Sequence, residues 1–146
     1  MSKKAILISI QPKWCELIAS GEKTIEIRKS RPKLETPFMC YIYCTKNGKS
    51  KWNGKIIGEF VCDEISGGYI EKPWGDFVQR QTCLTYEEIN IYGKDKPLIC
   101  WHISDLVLYK NPRELSEFYK PCIFEKEGDC GNILTRPPQS WCYVKE

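Results

Sequence analysis

Apolar residues run unbroken from Ala5 to Ile10, the pattern of a strand covered on both faces. Gln11-Pro12 turns the chain, and proline favours the first helical position. Trp14, Leu17 and Ile18 then recur at helical spacing and Gly21 supplies a stop. A short helix is predicted over 12–20, with its tryptophan side inward. From Thr24 the period changes: Ile25 and Ile27 alternate with Thr24, Glu26 and Arg28. Successive side chains of a strand point to opposite faces. The isoleucines are therefore predicted on a buried face and Thr24, Glu26 and Arg28 on the other. Lys23 reaches in from the helix–strand corner, and Lys29 points away from Arg28.

Beyond a loop marked by Arg31-Pro32-Lys33 and Thr36-Pro37, residues 38–45 alternate again. Tyr41 and Tyr43 fall on one face, and Cys40, Ile42 and Cys44 on the other. A polar connection, 47–54, leads to a longer strand over 56–65, in which Gly58 marks a bulge or kink of the kind that closes barrels. Residues 69–83, with Trp74 and Phe77, are ambiguous between helix and irregular chain. Thr85 followed by Glu88 is a capping box, with Leu84 and Ile89 spaced as a hydrophobic staple and Gly93 as the stop. Residues 98–103 and 106–109 read as strand with a kink near Ser104-Asp105. Asn111-Pro112-Arg113-Glu114 signals the start of a short helix with Leu115 and Phe118 on its apolar side. Residues 119–136 show little regularity, and a last strand is predicted over 141–145. Strands not separated by long helices argue against a doubly wound parallel sheet. The expected fold is α+β, a small mixed barrel with about three short flanking helices, in a single domain over 1–146.

With 146 residues, the chain is long enough for a real core. No apolar run approaches the roughly 18 residues that span a bilayer, and the N-terminus lacks the features of a signal peptide. A cytoplasmic monomer with no membrane partner is expected. A net charge of +3 permits a polyanionic ligand without demanding one. Its distribution says more: Lys23, Arg28, Lys29, Arg31 and Lys33 form one basic group, and Lys46, Lys49, Lys51 and Lys55 a second. The second surrounds the Asn47-Gly48 turn signal and reads as a solvated loop. The nine cysteines are odd in number, form no Cys-x-x-Cys pair and mostly sit in apolar runs. They read as buried free thiols. A zinc site from Cys122, Cys130 and His102 matches none of the common spacings, so no metal and no cofactor is expected.

A carboxylate and a guanidinium two positions apart on one strand face can fix each other or offer a donor fork to a ligand. Glu26 with Arg28 can therefore be a structural ion pair or part of a cleft. Lys23 can contact a phosphate or carbonyl, and Glu26 can act as base or acceptor. Arg28 and Arg31 can hold a phosphate or a base edge. Tyr41, Tyr43, Trp101 and Trp141 lie in predicted strands, where rings beside basic groups suit stacking on unpaired bases. His102, the sole histidine, is too close in sequence to Ser104 and Asp105 to predict a triad. There is no phosphate-binding glycine loop.

The run Ile8-Ser9-Ile10-Gln11-Pro12-Lys13, a short helix and then Gly21-x-Lys23-x-x-Glu26-x-Arg28 resembles the ASCH domain family of the PUA-like superfamily. Trp101-His102-Ile103-Ser104-Asp105-Leu106 and Arg136-Pro137-Pro138-Gln139-Ser140-Trp141 look like its phage and prophage-type members. The resemblance implies a PUA-like β-barrel with a cleft beside the first helix. It also implies RNA, nucleotide or modified-nucleoside binding there, using Lys13, Lys23, Glu26, Arg28, Arg31, Tyr43 and Trp101. Some bacterial relatives are amidohydrolases of N4-acylated cytidine, with an element of the form Lys-Thr-x-Thr-x-Arg. Lys23, Thr24 and Arg28 match it, but Glu26 stands where those enzymes carry the nucleophilic threonine. Other relatives cleave RNA. A hydrolase using Lys23 and Glu26, an amidohydrolase or a metal-assisted ribonuclease, is therefore the alternative to a binding domain. A protein-interaction module of a mobile element, with 119–136 as its variable segment, is a third.

Overall fold

The computed structural model describes residues 4–67, 76–94, 96–121 and 132–146. The elements follow in chain order as β1 (Lys4–Ile10), α1 (Pro12–Ser20), β2 (Ile25–Arg28), β3 (Phe38–Cys44), β4 (Ile56–Ser66), α2 (Asp76–Thr82), α3 (Tyr86–Gly93), β5 (Ile99–Arg113) and β6 (Trp141–Lys145). The strands form one curled mixed sheet in the order β2-β5-β4-β3-β1-β6. Only β1 and β3 pair in parallel; the other neighbours are antiparallel.

The local signals act as expected. Pro12 opens α1, and Gly21, in the left-handed region at φ 86°, donates its N–H to the Ile18 carbonyl. Thr85 and Glu88 cap α3 reciprocally. Gly58 lies against the β5 backbone at a register shift between β4 and β5. The kink at Ser104-Asp105 is a bulge rather than a break: β5 runs through it with Asp105 at φ 49°. On the β4 side Glu59 and Val61 oppose Val107 and Ser104, so β5 carries one extra residue there.

One expectation is corrected, and one left open is decided. The third helix does not start at Asn111. The β5 ladder extends to Arg113, which pairs with Ile56, and leaves room only for a 3₁₀ turn over Leu115–Glu117. The third helix is α2, inside the stretch whose periodicity was ambiguous.

Three apolar clusters hold the sheet. One, between α1 and the sheet, contains Ile6, Ile8, Ile10, Cys15, Ile18, Cys40, Ile42, Phe60, Cys62 and Trp101. A second covers the opposite face with Ala5, Leu7, Tyr41, Tyr43, Ile56, Phe118, Leu134 and Val144, so β1 is buried on both sides. The third seats α2 and α3 on β2 and β5 through Ile25, Ile27, Ile89, Leu98 and Cys100.

The sheet's two edges, β2 and β6, are not joined by a ladder. Side chains close the seam instead. Trp141 Nε1 of β6 donates to Ser30 Oγ at 3.1 Å, and its ring packs on Trp101 of β5, whose Nε1 donates to the Ser30 carbonyl at 3.2 Å. The Lys33 amide donates to the Tyr143 hydroxyl at 2.7 Å. Arg28, at the end of β2, donates to Ser140 just ahead of β6.

The described cysteines are free thiols, five of them buried: Cys15, Cys40, Cys44, Cys62 and Cys100. Burial pushes the Cys62 thiol up to about 12 from 9.0, and raises Cys15 and Cys40 as well. A thiol whose folded pKa is raised contributes stability that is complete below its unfolded pKa and is lost as pH rises toward the folded one. Unfolding free energy should therefore fall above pH 9, by about 1.4 kcal/mol per pH unit for each such thiol. Denaturation between pH 7 and 10.5 measures this; a flat profile would show the thiols to be solvated.

Candidate nucleic-acid interface

Alternation in β2 does what the pattern predicted. Ile25 and Ile27 face the α2–α3 cluster, and Glu26 and Arg28 face the other way, joined by Lys23. Lys23 is only 1% exposed. Its Nζ donates to the Thr82 carbonyl at 2.6 Å and lies 3.5 Å from Glu26 Oε1 and 5.1 Å from the Trp14 ring centroid. Glu26 Oε1 also accepts from the Ile27 amide at 3.2 Å, and Oε2 accepts from Arg28 at 3.0 Å. Desolvation pulls the Lys23 ammonium below the ordinary lysine range, with the Glu26 charge acting in the opposite sense.

The Arg28 fork is occupied from within. One terminal nitrogen donates to Ser9 O at 2.7 Å and to Glu26, the other to Ser140 O and Oγ. It therefore ties β2, β1 and the approach to β6 together, and holds Glu26 in place.

A cleft of about 610 Å³ opens over this floor. Lys23, Glu26 and Arg28 form its base, Gln11 and Trp14 one wall, Ile91 and Tyr92 of α3 another, and Thr45 and Asn47 a third side. Trp14 is half-buried and Tyr92 is 38% exposed. A carboxylate and an ammonium thus meet at a cleft that two aromatic side chains also line.

Of the residues the sequence singled out, Lys23, Glu26 and Arg28 come together here. Lys13 is exposed on α1, with its Nζ 4.6 Å from the Trp14 ring centroid, and touches the site only through that ring. Arg31 lies outside the lining, its guanidinium bonded to the Pro32 and Leu34 carbonyls of its own loop. Tyr43 and Trp101 do not reach the cleft. Tyr43 packs in the cluster on the opposite face, and Trp101 is fully buried, edge-on to Phe38. Alternation puts each ring on a definite face, but the layers across from them are core. Lys29 is exposed and is not part of the lining, but its Nζ lies 4.7 Å from the ring centroid of Tyr92, so it reaches the rim of the cleft.

Trp14 and Tyr92 are the site aromatics that the sequence pattern did not assign. Cys15 and Ile18 form the fully buried stripe of α1, which leaves Trp14 and Leu17 at its margin. Tyr92 follows exposed Ile91 near the end of an otherwise short helix; two large apolar residues outside the helix's buried stripe are the available signal.

His102 stands apart from the cleft. Its Nε2 is 2.9 Å from Ser66 Oγ, and its Nδ1 is 4.0 Å from Glu64. The second distance is too long for a hydrogen bond, so Glu64 does not orient the ring. Cys122 and Cys130 lie outside the described residues. Among the described residues no helix is long and apolar enough to cross a membrane.

A family model for the ASCH domain matches residues 8–127. The chain belongs to the ASCH domain family. Among solved structures it is similar to the ASCH protein of Zymomonas mobilis, at 21% identity and a TM-score of 0.71 over 97% of this chain and 88% of that one. A serine-to-alanine variant of that protein gives 20% identity and a TM-score of 0.73, covering 97% and 89% of the two chains. A tyrosine-to-phenylalanine variant gives 21% and 0.72, covering 99% and 92%. These likenesses show the fold, an α+β half-barrel that carries three α-helices among the described residues. No curated protein matches.

Proposed function

We propose that this ASCH domain is an RNA- or nucleotide-binding module that takes one unpaired base, natural or modified, into the cleft between α1 and α3. The observation that carries this reading is the Lys23–Glu26 pair at the base of an aromatic-walled opening. A nucleobase has two apolar faces and a polar edge. Proteins recognise unpaired bases by stacking on the faces and hydrogen bonding along the edge. Trp14 and Tyr92 supply rings, Lys23 a donor and Glu26 an acceptor. Because Arg28 is engaged by Ser9, Glu26 and Ser140, its role is to hold the carboxylate rather than to grip a phosphate.

Titration of a nucleoside panel and short single-stranded RNAs in low salt tests this reading. Tyr92→Ala, at an exposed position, should weaken binding by about 1–3 kcal/mol, the usual contribution of one base–ring stack. A protein that binds neither nucleosides nor RNA oligomers rules it out.

One observation favours a second reading. A buried lysine with a depressed pKa beside a carboxylate suits acid–base work. In a hydrolase, Glu26 would activate water in place of the absent threonine nucleophile, with Lys23 polarising the scissile carbonyl. Assays with N4-acetylcytidine, and with RNA in the presence and absence of divalent metal, separate the two. Turnover that survives both Glu26→Gln and Lys23→Ala would place any activity elsewhere.

A further inference from the structure

We infer that Thr82 is a positioning residue of the cleft: its carbonyl holds the Lys23 ammonium in place, and through that bond the α2–α3 pair, which carries Tyr92, is set against the cleft floor. This rests on the reading above only in taking Lys23 as a group that the ligand meets.

The bond arises from the way two elements end. Gly21 stops α1, and the Lys23 amide donates back to the Leu17 carbonyl at 3.0 Å, which fixes the root of the Lys23 side chain. The next amide, of Thr24, donates to the Gln81 carbonyl at 2.8 Å, and Lys23 Nζ donates to the Thr82 carbonyl at 2.6 Å. Two consecutive residues of the α1–β2 corner therefore meet two consecutive carbonyls at the end of α2. The last carbonyls of a helix have no partner within it and carry the negative end of its dipole. An ammonium is the charge that suits them.

Thr82 is fully buried. Its hydroxyl donates to the Val78 carbonyl at 2.7 Å and accepts from the Leu84 amide at 3.2 Å. It thus clips the turn at Cys83, which lies in the left-handed region at φ 60°, and aims the Thr82 carbonyl at Lys23. Beyond the clip, Leu84, Glu88, Ile91 and Tyr92 line the cleft. The apolar seat of α2 and α3 is the smallest of the three clusters, so one buried hydrogen bond is a sizeable share of what holds the pair.

Among the described residues, the charged and titratable groups that act on Lys23 are Glu26 and Arg28 of β2 and Cys83 in the turn after α2. Burial outweighs them and keeps the ammonium below its ordinary range. Water that reaches Nζ as the end of α2 loosens would raise it again.

The test uses the full chain without a ligand. Thr82→Val deletes the hydroxyl and nearly keeps the shape; Thr82→Ser restores it. Nuclear magnetic resonance of isotope-labelled lysine follows Lys23 through its titration. Its pKa should rise toward 10.5 in Thr82→Val and return toward the wild-type value in Thr82→Ser. A double-mutant cycle with Lys23→Met tests the link to the helices. Thr82→Val should raise the unfolding constant about tenfold less when Lys23 is already gone, the equivalent of one buried hydrogen bond. A Lys23 titration unchanged in Thr82→Val, or a cycle additive to within about twofold, overturns the inference. If Thr82→Val does not fold, the wild type decides. Its Lys23 ammonium protons should be shielded enough to give a resolved signal correlated with Thr82 at neutral pH, and the lack of one overturns the inference. Failure of the base-binding reading looks different: nucleosides then bind neither wild type nor variants, while the titration and the cycle respond as stated.

Discussion

Glu26→Gln is expected to lower the unfolding free energy by about 3–5 kcal/mol, the cost of removing one partner from a buried ion pair. The substitution keeps the shape of the side chain and deletes its charge. Lys23 would then be a buried ammonium with the Thr82 carbonyl as its remaining close acceptor. Arg28 would suffer less, because Ser9 and Ser140 still accept from it. The pH dependence identifies Lys23 as the source. Its folded pKa lies below the unfolded 10.5, so the unfolded chain binds more protons in that window and the lysine's contribution to stability improves as pH rises. Losing Glu26 widens the window downward. The deficit of the variant relative to wild type should therefore shrink as pH rises toward the unfolded lysine value of 10.5. Adding Lys23→Met should recover part of the loss, which a double-mutant cycle would read as coupling. Chemical denaturation of the four proteins is the measurement. A cost below about 1 kcal/mol, the range of exposed pairs, would show that water reaches the pair.

Gly58→Ala is expected to cost about 3 kcal/mol, at the upper end of ordinary overpacking. A Cβ at this position would fall inside the van der Waals envelope of the Val107 carbonyl oxygen and 3.1 Å from the Leu108 Cα. Both atoms are backbone of β5, so no rotamer change relieves the contact. Relief requires β4 and β5 to move apart where their register already shifts on either side of Gly58 and Glu59. Thermal unfolding would measure the loss, and amide exchange should locate it on β4 and β5. A stable variant with unchanged exchange would mean that the strands are less closely apposed in solution.

The two effects bear on function differently. Gly58 belongs to the sheet crossing and not to the cleft lining. Glu26 belongs to both the frame and the cleft, because the carboxylate at its base also links Lys23 to the seam-closing Arg28. Loss of ligand binding in Glu26→Gln must therefore be read beside its stability, whereas Tyr92→Ala probes the cleft through a side chain on its rim.

Local chemistry in the sequence determined much of this protein. Pro12 and Gly21 bound α1, Thr85 and Glu88 start α3, and Gly58 marks the close approach of two strands. The alternation from Thr24 to Arg28 puts Glu26 and Arg28 on one face. These signals are legible because each depends on a few neighbouring residues and a fixed backbone period. The element order and the Lys23–Glu26–Arg28 spacing also carried the family resemblance. Only the tertiary structure decided what lies across from each face. Tyr43 and Trp101 meet packed layers, while Trp14 and Tyr92, 78 positions apart in the chain, meet at one opening. Arg28 reads from the sequence either as a fork for a ligand or as the partner of Glu26 in a structural ion pair. The curled sheet gives that fork Ser9 and Ser140 beside Glu26, because β2 and β6 approach without a ladder and the seam needs donors that span it. Alternation fixes a side chain's direction; the partner it finds depends on chain more than 100 residues away.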